Sequence, residues 1–517
     1  MSNGRSTYTA LGVLALALAG AASPLPHGAR DALALAALAA AAVLAWQPRA
    51  AVAFLLFYLP LRVLVEAITP VPVRFLADVA VLALVARVLW LYPDDILPLD
   101  PVEWLALLFG AWGLAATVHA HQHLGGAVLE ARDLLLFVLL YAAVRRLRRH
   151  QDGLDAAWWR SVSPFALASV AIVGVQAMLQ TFVLGHPLLL PASLLGQLHV
   201  SGVNAGRPYG WLDNPNVFGE LGFFALVMTY DLARAGALRP RWLAVPAAAF
   251  YAAMVVLSFS RSAYLITAVA AVMFAYGRRA RWERTGIAAT VVAMAVAVAL
   301  IPGARERTVA AGTRIAVAAA PHHPPSARAG HGGTRKPQGH GGPRPGARGR
   351  TAGRPTAILT AAYFHQSLRA GRLHNLLVGL HLIRHHPFGT GLGTFGSAGA
   401  KAFHHNLPGL PRSFYADNQY LVVLVETGVP GTLLFALLAV AVFAAILRAR
   451  TDPFDRRFVL TLFVATAILG ATENAWEELV LTIYPWLALS VLIADRGQVR
   501  SRTQPRVAAP AAVSGRS

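Results

Sequence analysis

The sequence predicts an all-α polytopic membrane protein with about 12 to 14 transmembrane helices and one long extracytoplasmic loop. Of its 517 residues, 56% are hydrophobic and only 13% charged. The apolar residues form unbroken runs instead of amphipathic stripes, among them 11–20, 52–61, 79–91, 134–144, 166–183 and 291–301. Runs near the thickness of a bilayer core, broken by short charged or Pro/Gly segments, read as spanning helices. A helix satisfies its own amides where no water is available, which is why it is the element that crosses. The third observation is that basic residues collect in short segments between the runs.

Four such segments are strongly cationic, 145–149, 234–241, 278–284 and 448–457, and so is the tail after Asp495. Positive charge in short loops marks the cytoplasmic side, so all five are placed there. The segments between them then fall outside: 185–215, the tight turn 258–262, the long stretch 302–416, and 473–478. One apolar run separates each consecutive pair, so the alternation closes. In the amino-terminal half, 93–100 falls inside by parity yet has no basic residue. The expected count is about 14 spans, with 12 as the alternative and both termini cytoplasmic. The first run follows Arg5 and precedes small residues at 21–23, as in a secretory signal. Because many similar runs come after it, it is read as the first span.

The formal net charge is +21, and lysine occurs only at Lys336 and Lys401. In a soluble chain this balance would point to nucleic acid. Here the arginines sit between helices, so no nucleic-acid partner is expected, and membrane lipids are. The absence of cysteine excludes disulfides, thiolate metal sites and thiol catalysis.

The expected organisation is a bundle of transmembrane helices with short loops (1–301), a disordered Gly/Pro/Arg-rich insertion (302–356), an ordered part of the extracytoplasmic loop (357–416), carboxy-terminal transmembrane helices (417–494) and a disordered cytoplasmic tail (495–517). The insertion carries ten Arg/Lys and one acid, Glu306, between Arg305 and Arg354, and almost no large apolar residue. Such a segment cannot bury enough surface to fold. Long loops are exempt from the charge rule. Its histidines His322, His323, His331 and His340 are irregularly spaced, and no metal site is expected there.

Four features of the outer face carry possible chemistry. The stretch from Arg207 to Asn216 (RPYGWLDNPN) leads into a helix: Asn214 and Pro215 make a turn and Asn216 is expected to cap that helix. Arg207 has no such local explanation and is either a substrate contact or a surface anchor. The hairpin SFSRS at 258–262 puts Arg261 in a tight external turn, at headgroup depth, where a guanidinium pairs with lipid or substrate phosphate. Arg372 and the run HHPFGTGLGTF at 385–395 come next, in which Gly389, Gly391 and Gly393 permit close backbone approach and can present amides to an anion. Last, DNQYLVVLVETGVPG at 417–431 opens a helix at Asp417, either as its cap or as a functional carboxylate. Glu426 would lie about 13 Å deeper on a regular helix. A carboxylate at that depth is a functional candidate by default. Glu473 and Asn474, in the last outer turn, are placed to complete a site.

In this order the features resemble the O-antigen ligase and polymerase superfamily, membrane enzymes of bacterial surface polysaccharide assembly. The resemblance rests on Arg207, Gly210 and Asn214–Asn216, on Ser260-Arg261, on Arg372 with Pro387–Phe395, and on Asp417-Asn418 with Glu426–Gly431, and so spans about 207–431. It implies a fold like that of the lipid-dependent (GT-C) glycosyltransferases in the bacterial cytoplasmic (inner) membrane. It also implies a metal-independent, cofactor-free transfer from a polyprenyl-pyrophosphate-linked glycan donor to a glycan or lipid-glycan acceptor. On it Arg261, Arg372, Asp417 and Glu426 become the catalytic candidates, and Arg207, Asn214, Asn216, Asn418, Gly391 and Gly393 the substrate-binding ones. Ligases of the family usually begin the last motif with histidine where this chain has Asp417, a departure that favours a polymerase-like member. The rival class is a transporter or lipid-linked-glycan flippase using Glu66, Asp78, Glu130 or Asp133 as intramembrane carriers. No internal repeat supports it. An intramembrane protease lacks a Ser/His pair.

Overall fold

The computed structural model describes residues 47–68, 76–95, 97, 99–150, 153–184, 208, 211–212, 214–238, 240–275, 372–403, 406–410 and 414–493. The apolar runs 11–20 and 291–301, the cationic segment 278–284, the insertion, the tail and Arg207 lie outside them. Among the described residues every element is helical: α1 (Pro48–Ile68), α2 (Leu76–Leu91), α3 (Pro101–His119), α4 (Leu124–Arg149), α5 (Ala156–Leu179), α6 (Pro215–Arg234), α7 (Ala244–Leu257), α8 (Arg261–Ala275), α9 (Arg372–His385), α10 (Ala398–Phe403), α11 (Gln419–Arg448), α12 (Pro453–Gly470) and α13 (Leu479–Leu492). Arg372–Leu377 belong to a separate unit, 298–377, and are described by themselves as the start of α9.

Among the described residues, four helices are long and apolar enough to cross a bilayer: Pro48–Val65, Pro101–His119, Ala156–Val183 and Gln419–Arg448. Arg241–Leu257, Arg261–Ala275 and Leu479–Leu492 are shorter and also apolar. The protein is thus an all-α polytopic membrane protein. Its outward side chains agree: Trp90, Val245, Val272, Leu433 and Val440 are all exposed, as suits helices that face hydrocarbon. Within the bundle α7 packs on α6, α11 on α3, α13 on α4, α1 on α5 and α8 on α12.

Helix starts are set by local chemistry. Asp100 caps α3 in a reciprocal box with Glu103, with Pro101 at the first helical position, where its missing N–H costs nothing. Asn214-Pro215 and Asp452-Pro453 open α6 and α12 with the same order of cap and proline, the caps accepting Asn216 N–H and Phe454 N–H.

The acidic segment before α3 explains its lack of basic residues. Asp95 pairs with His150 at 2.5 Å, Asp100 pairs with Arg145, and Glu103 takes Arg146 at 2.8 Å. The partners of Asp95, Asp100 and Glu103 come from the end of α4, so both segments share one end of the bundle.

α11 is broken. Gly428 has φ 69° and ψ −171°, and Pro430 comes two residues later with no N–H to give. The break frees carbonyls that a continuous helix would use, and a neighbouring loop supplies the donors. Thr390 N–H donates to Val425 O and Gly391 N–H to Glu426 O, both at 2.9 Å, while Trp112 Nε1–H donates to Thr427 O at 2.7 Å. In return Val429 N–H donates to Pro387 O at 2.9 Å. A Cβ on Gly428 would stand 2.4 Å from Phe388 C and Pro387 O.

Gly428→Ala therefore combines a left-handed φ with a backbone clash. We expect a loss of about 1–3 kcal/mol from strain alone, read as a lower melting temperature in detergent. Gly236→Ala, also at positive φ (67°) but with its nearest neighbour 3.7 Å away, is expected to lose less.

Candidate functional site

One polar layer gathers at the end of the bundle where α6 and α11 begin. Asn214 caps α6 by accepting Asn216 N–H at 2.9 Å, and its amide donates to Glu473 Oε2 at 3.2 Å. The turn after α12 holds the layer together. Asn418 N–H donates to Asn474 Oδ1, Gln419 N–H donates to Glu473 O, and Gln419 Nε2 donates to Glu477 Oε1, at 3.1–3.2 Å. Asn474 Nδ2 reaches Gly396 O at 3.2 Å.

The loop leading to α10 is held on three buried carboxylates. Glu426 Oε2 accepts Gly393 N–H at 2.9 Å, and its Oε1 accepts Thr394 N–H, Phe395 N–H and the Ser397 hydroxyl at 2.8–2.9 Å. Glu477 accepts Ala398 N–H at 2.7 Å, and Glu130 accepts Gly399 N–H at 3.0 Å. Phe395 packs beneath with Ala416, Leu421, Val422 and Val425 in a small apolar core of its own. The carboxylates thus fix the loop by its backbone while the aromatic ring fixes its depth.

Arg261 stands at the first position of α8 with its side chain exposed. Its neighbours are the opposite. Ser258, Ser260 and Ser262 are buried, Ser260 N–H donates to Ser258 Oγ at 3.1 Å, and the Ser260 and Ser262 hydroxyls are 2.7 Å apart. Ser262 donates onward to Glu220 Oε1 at 2.7 Å. Phe259, at φ 50°, turns the chain between them. The serines anchor the hairpin to α6, so the guanidinium is presented outward beside the amides of a helix N-terminus.

Several sequence expectations change here. The cap of α6 is Asn214, not Asn216, because Pro215 takes the first helical position. The cap of α11 is Asn418, which accepts Leu421 N–H at 3.0 Å, whereas Asp417 sits before it at φ 51°, half-buried. Gly391 and Gly393 do offer their amides to acceptors, but these are the chain's own Glu426 carbonyl and carboxylate, so the amides are not open to a substrate. Glu426, with no exposed surface and four donors on its oxygens, clamps a loop and does not line an open cavity. Asp78 and Asp133 both pair with Arg132, and Glu130 holds Gly399, which leaves three of the proposed carrier acids engaged in structure. The side chain of Glu66 lies outside the described residues. Arg372 begins α9 in its own unit.

Glu220, Gln419 and Glu477 are not among the residues the sequence singles out. For Glu220 the only signal is an acid inside an apolar stretch, as for Glu130; Gln419 and Glu477 sit in polar stretches and carry no signal that sets them apart from their neighbours.

Burial pushes the Glu473 carboxyl well above the ordinary range, helped by the negative charges of Glu220, Glu478 and Asp417. Burial, and then the charge of Glu426, does the same to Glu477. At both positions burial thus makes the charged form more costly than it is in water.

A raised folded-state pKa gives stability that is fully present below the unfolded value, near 4.3, and is lost as pH rises through the folded value. The melting temperature should therefore fall as pH rises from about 4.3 toward the raised folded-state value, and Glu473→Gln should flatten that fall. Glu426→Ala strands three buried amides at about 1–3 kcal/mol each. It should sharply lower the yield of folded protein by size-exclusion profile, with Glu426→Gln intermediate.

Residues 246–436 match the family described as O-Antigen ligase. The span runs from the first turn of α7 past the break in α11, and so takes in Arg261, Arg372, Gly391, Gly393, Asp417, Asn418 and Glu426. Asn214, Asn216 and Arg207 precede it. No curated protein matches the sequence. The match falls on the hairpin, the clamped loop and the broken helix together, and it supports membership of the O-antigen ligase and polymerase superfamily and a role in surface polysaccharide assembly.

Proposed function

We propose that the protein transfers a glycan from a polyprenyl-pyrophosphate carrier to a hydroxyl of an acceptor glycan. The transfer takes place at the outer face of the bacterial cytoplasmic membrane, with the long loop outside and both termini cytoplasmic. The observation that carries this is the presentation of Arg261, inside the matched domain, at the N-terminus of α8 on a hairpin fixed by buried serines. A helix N-terminus and a guanidinium together favour phosphate oxygens.

In the reaction the acceptor oxygen attacks the anomeric carbon and forms the new C–O bond. The bond from that carbon to the pyrophosphate oxygen breaks with inversion, and the lipid pyrophosphate leaves with the electron pair. The acceptor's proton passes to a base. Arg261 stabilises the charge growing on the leaving group, which is where fixed cations act best. Arg372 is the second candidate for that role and Arg207 the third. Asp417 orients the acceptor hydroxyl and takes its proton. Asn214, Asn418 and Glu426 act as positioning groups, holding α6, α11 and the 393–397 loop at the same end.

Asp417 at the place where ligases of the family usually have histidine favours polymerisation over ligation. The transporter reading loses support because Asp78, Glu130 and Asp133 are all engaged.

The test uses the purified protein in nanodiscs with a polyprenyl-pyrophosphate oligosaccharide, with glycan length and released lipid read by mass spectrometry. Lengthened lipid-linked chains without added acceptor are expected. Transfer only to a separate acceptor would make the protein a ligase. Arg261→Ala should slow the reaction about a hundredfold. Arg261→Lys should recover part of this, since it keeps charge and loses the fork. Full activity in Arg261→Ala would remove Arg261 from the mechanism.

A further inference from the structure

At the other end of the bundle, where α3 begins and α4, α11 and α13 end, lies a cavity of about 380 Å3. That size is within the range of small-ligand sites (about 300–1,000 Å3). Its polar rim is made by Asp100, Tyr141, Arg145 and Arg448. One long wall is made of small side chains, Ala441, Ala444 and Ala445, spaced to lie on one face of α11.

The charge balance of the rim favours an anion. Arg145 pairs with Asp100, and Tyr141 donates to the same carboxylate at 2.7 Å, so the acid is already neutralised and bonded. Glu103, close behind, is matched by Arg146 at 2.8 Å. Arg148 Nη1 donates to Ser490 O and Ile493 O at 3.2 and 2.9 Å, which covers the terminal carbonyls of α13 that would otherwise repel an anion. Arg448 remains: its side chain is exposed, and it forms no ion pair with a carboxylate among the described residues. The rim therefore carries one uncompensated guanidinium.

The walls decide the chemical class of the anion. Val440 and Leu447, beside the cavity residues on α11, are exposed at 63% and 57%. On a spanning helix those positions face hydrocarbon, so the cavity mouth borders lipid. A phosphate that enters there brings an acyl chain to lie on the alanine wall. Basic pockets between helices at the cytoplasmic end are suited to anionic headgroups.

We propose that this cavity binds an anionic phospholipid of the inner leaflet, with its phosphate on Arg448 and Arg145 and its acyl chain along Ala441, Ala444 and Ala445. The placement in the inner leaflet rests on the cationic ends of α4 and α11 being cytoplasmic; the site itself does not depend on the transfer reaction.

Native mass spectrometry of the full chain, released from detergent with defined lipids, tests it. The wild type should retain phosphatidylglycerol at collision energies that strip phosphatidylcholine. Arg448→Gln should cut retained phosphatidylglycerol at least about fivefold, with a lipid-free melting temperature equal to wild type, a loss in line with removing one charged contact to a phosphate. Ala445→Trp, which fills the cavity, should also lose it; if that variant does not fold, Arg448→Gln decides alone. Equal retention of phosphatidylcholine, or unchanged retention in Arg448→Gln, would overturn the proposal. So would displacement of the lipid by millimolar inorganic phosphate, because the acyl wall would then contribute nothing. None of these readouts involves glycan transfer, so either reading can fail without the other.

Discussion

The break at Gly428 in α11 is the constraint on which the polar end of the protein depends. A helix interrupted inside a membrane leaves carbonyls that water cannot reach, and each must find a donor. Here the donors are Thr390, Gly391 and Trp112, so the interruption obliges a loop and a second helix to dock at one point. Once the loop is docked, the side chain of Glu426 is aimed at its next amides, and the loop cannot leave without stranding both partners. Gly428 and Pro430 thus fix not only the course of α11 but the placement of the segment some thirty residues before it.

The same logic accounts for acids in an apolar bundle. Glu426, Glu477 and Glu130 come from three different parts of the chain, yet all end on amides of 393–399. Isolated, each would be costly to bury; bonded to N–H groups that also lack water, each resolves two deficits at once. At the opposite end acids meet arginines instead, as Asp100 and Glu103 do with Arg145 and Arg146. The molecule therefore handles buried acids in two ways, with amides where the loop docks and with guanidinium groups elsewhere, Asp78 and Asp133 on Arg132 included.

The fold class was legible because it depends on composition and run length, which need no tertiary knowledge. Helix starts were half legible: an Asn-Pro-Asn stretch announces a cap, but choosing Asn214 over Asn216 requires knowing that Pro215 is already in the helix. The missing cation in 93–100 became intelligible only through its partners on α4, about fifty residues away. Glycines 391 and 393 were recognised as amide presenters, and they are; the identity of the acceptor depended on the depth and direction of Glu426, which the broken helix sets. Glu220 and Glu477 carry no motif: an acid in an apolar stretch, or one of several acids in a turn, reads alike whether it bonds a serine, an amide or a substrate.

The carboxylate of Glu426 meets three backbone amides and a single hydroxyl, and so recognises the shape of residues 393–397 with little regard to their side chains. Architecture and chemistry are thereby uncoupled along this loop. The buried side chains of Leu392 and Thr394 are fixed separately, by packing and by the Thr394 hydroxyl donating to Gly391 O at 2.7 Å. A loop held in this way owes its course to its main chain and to one acid some thirty residues further on.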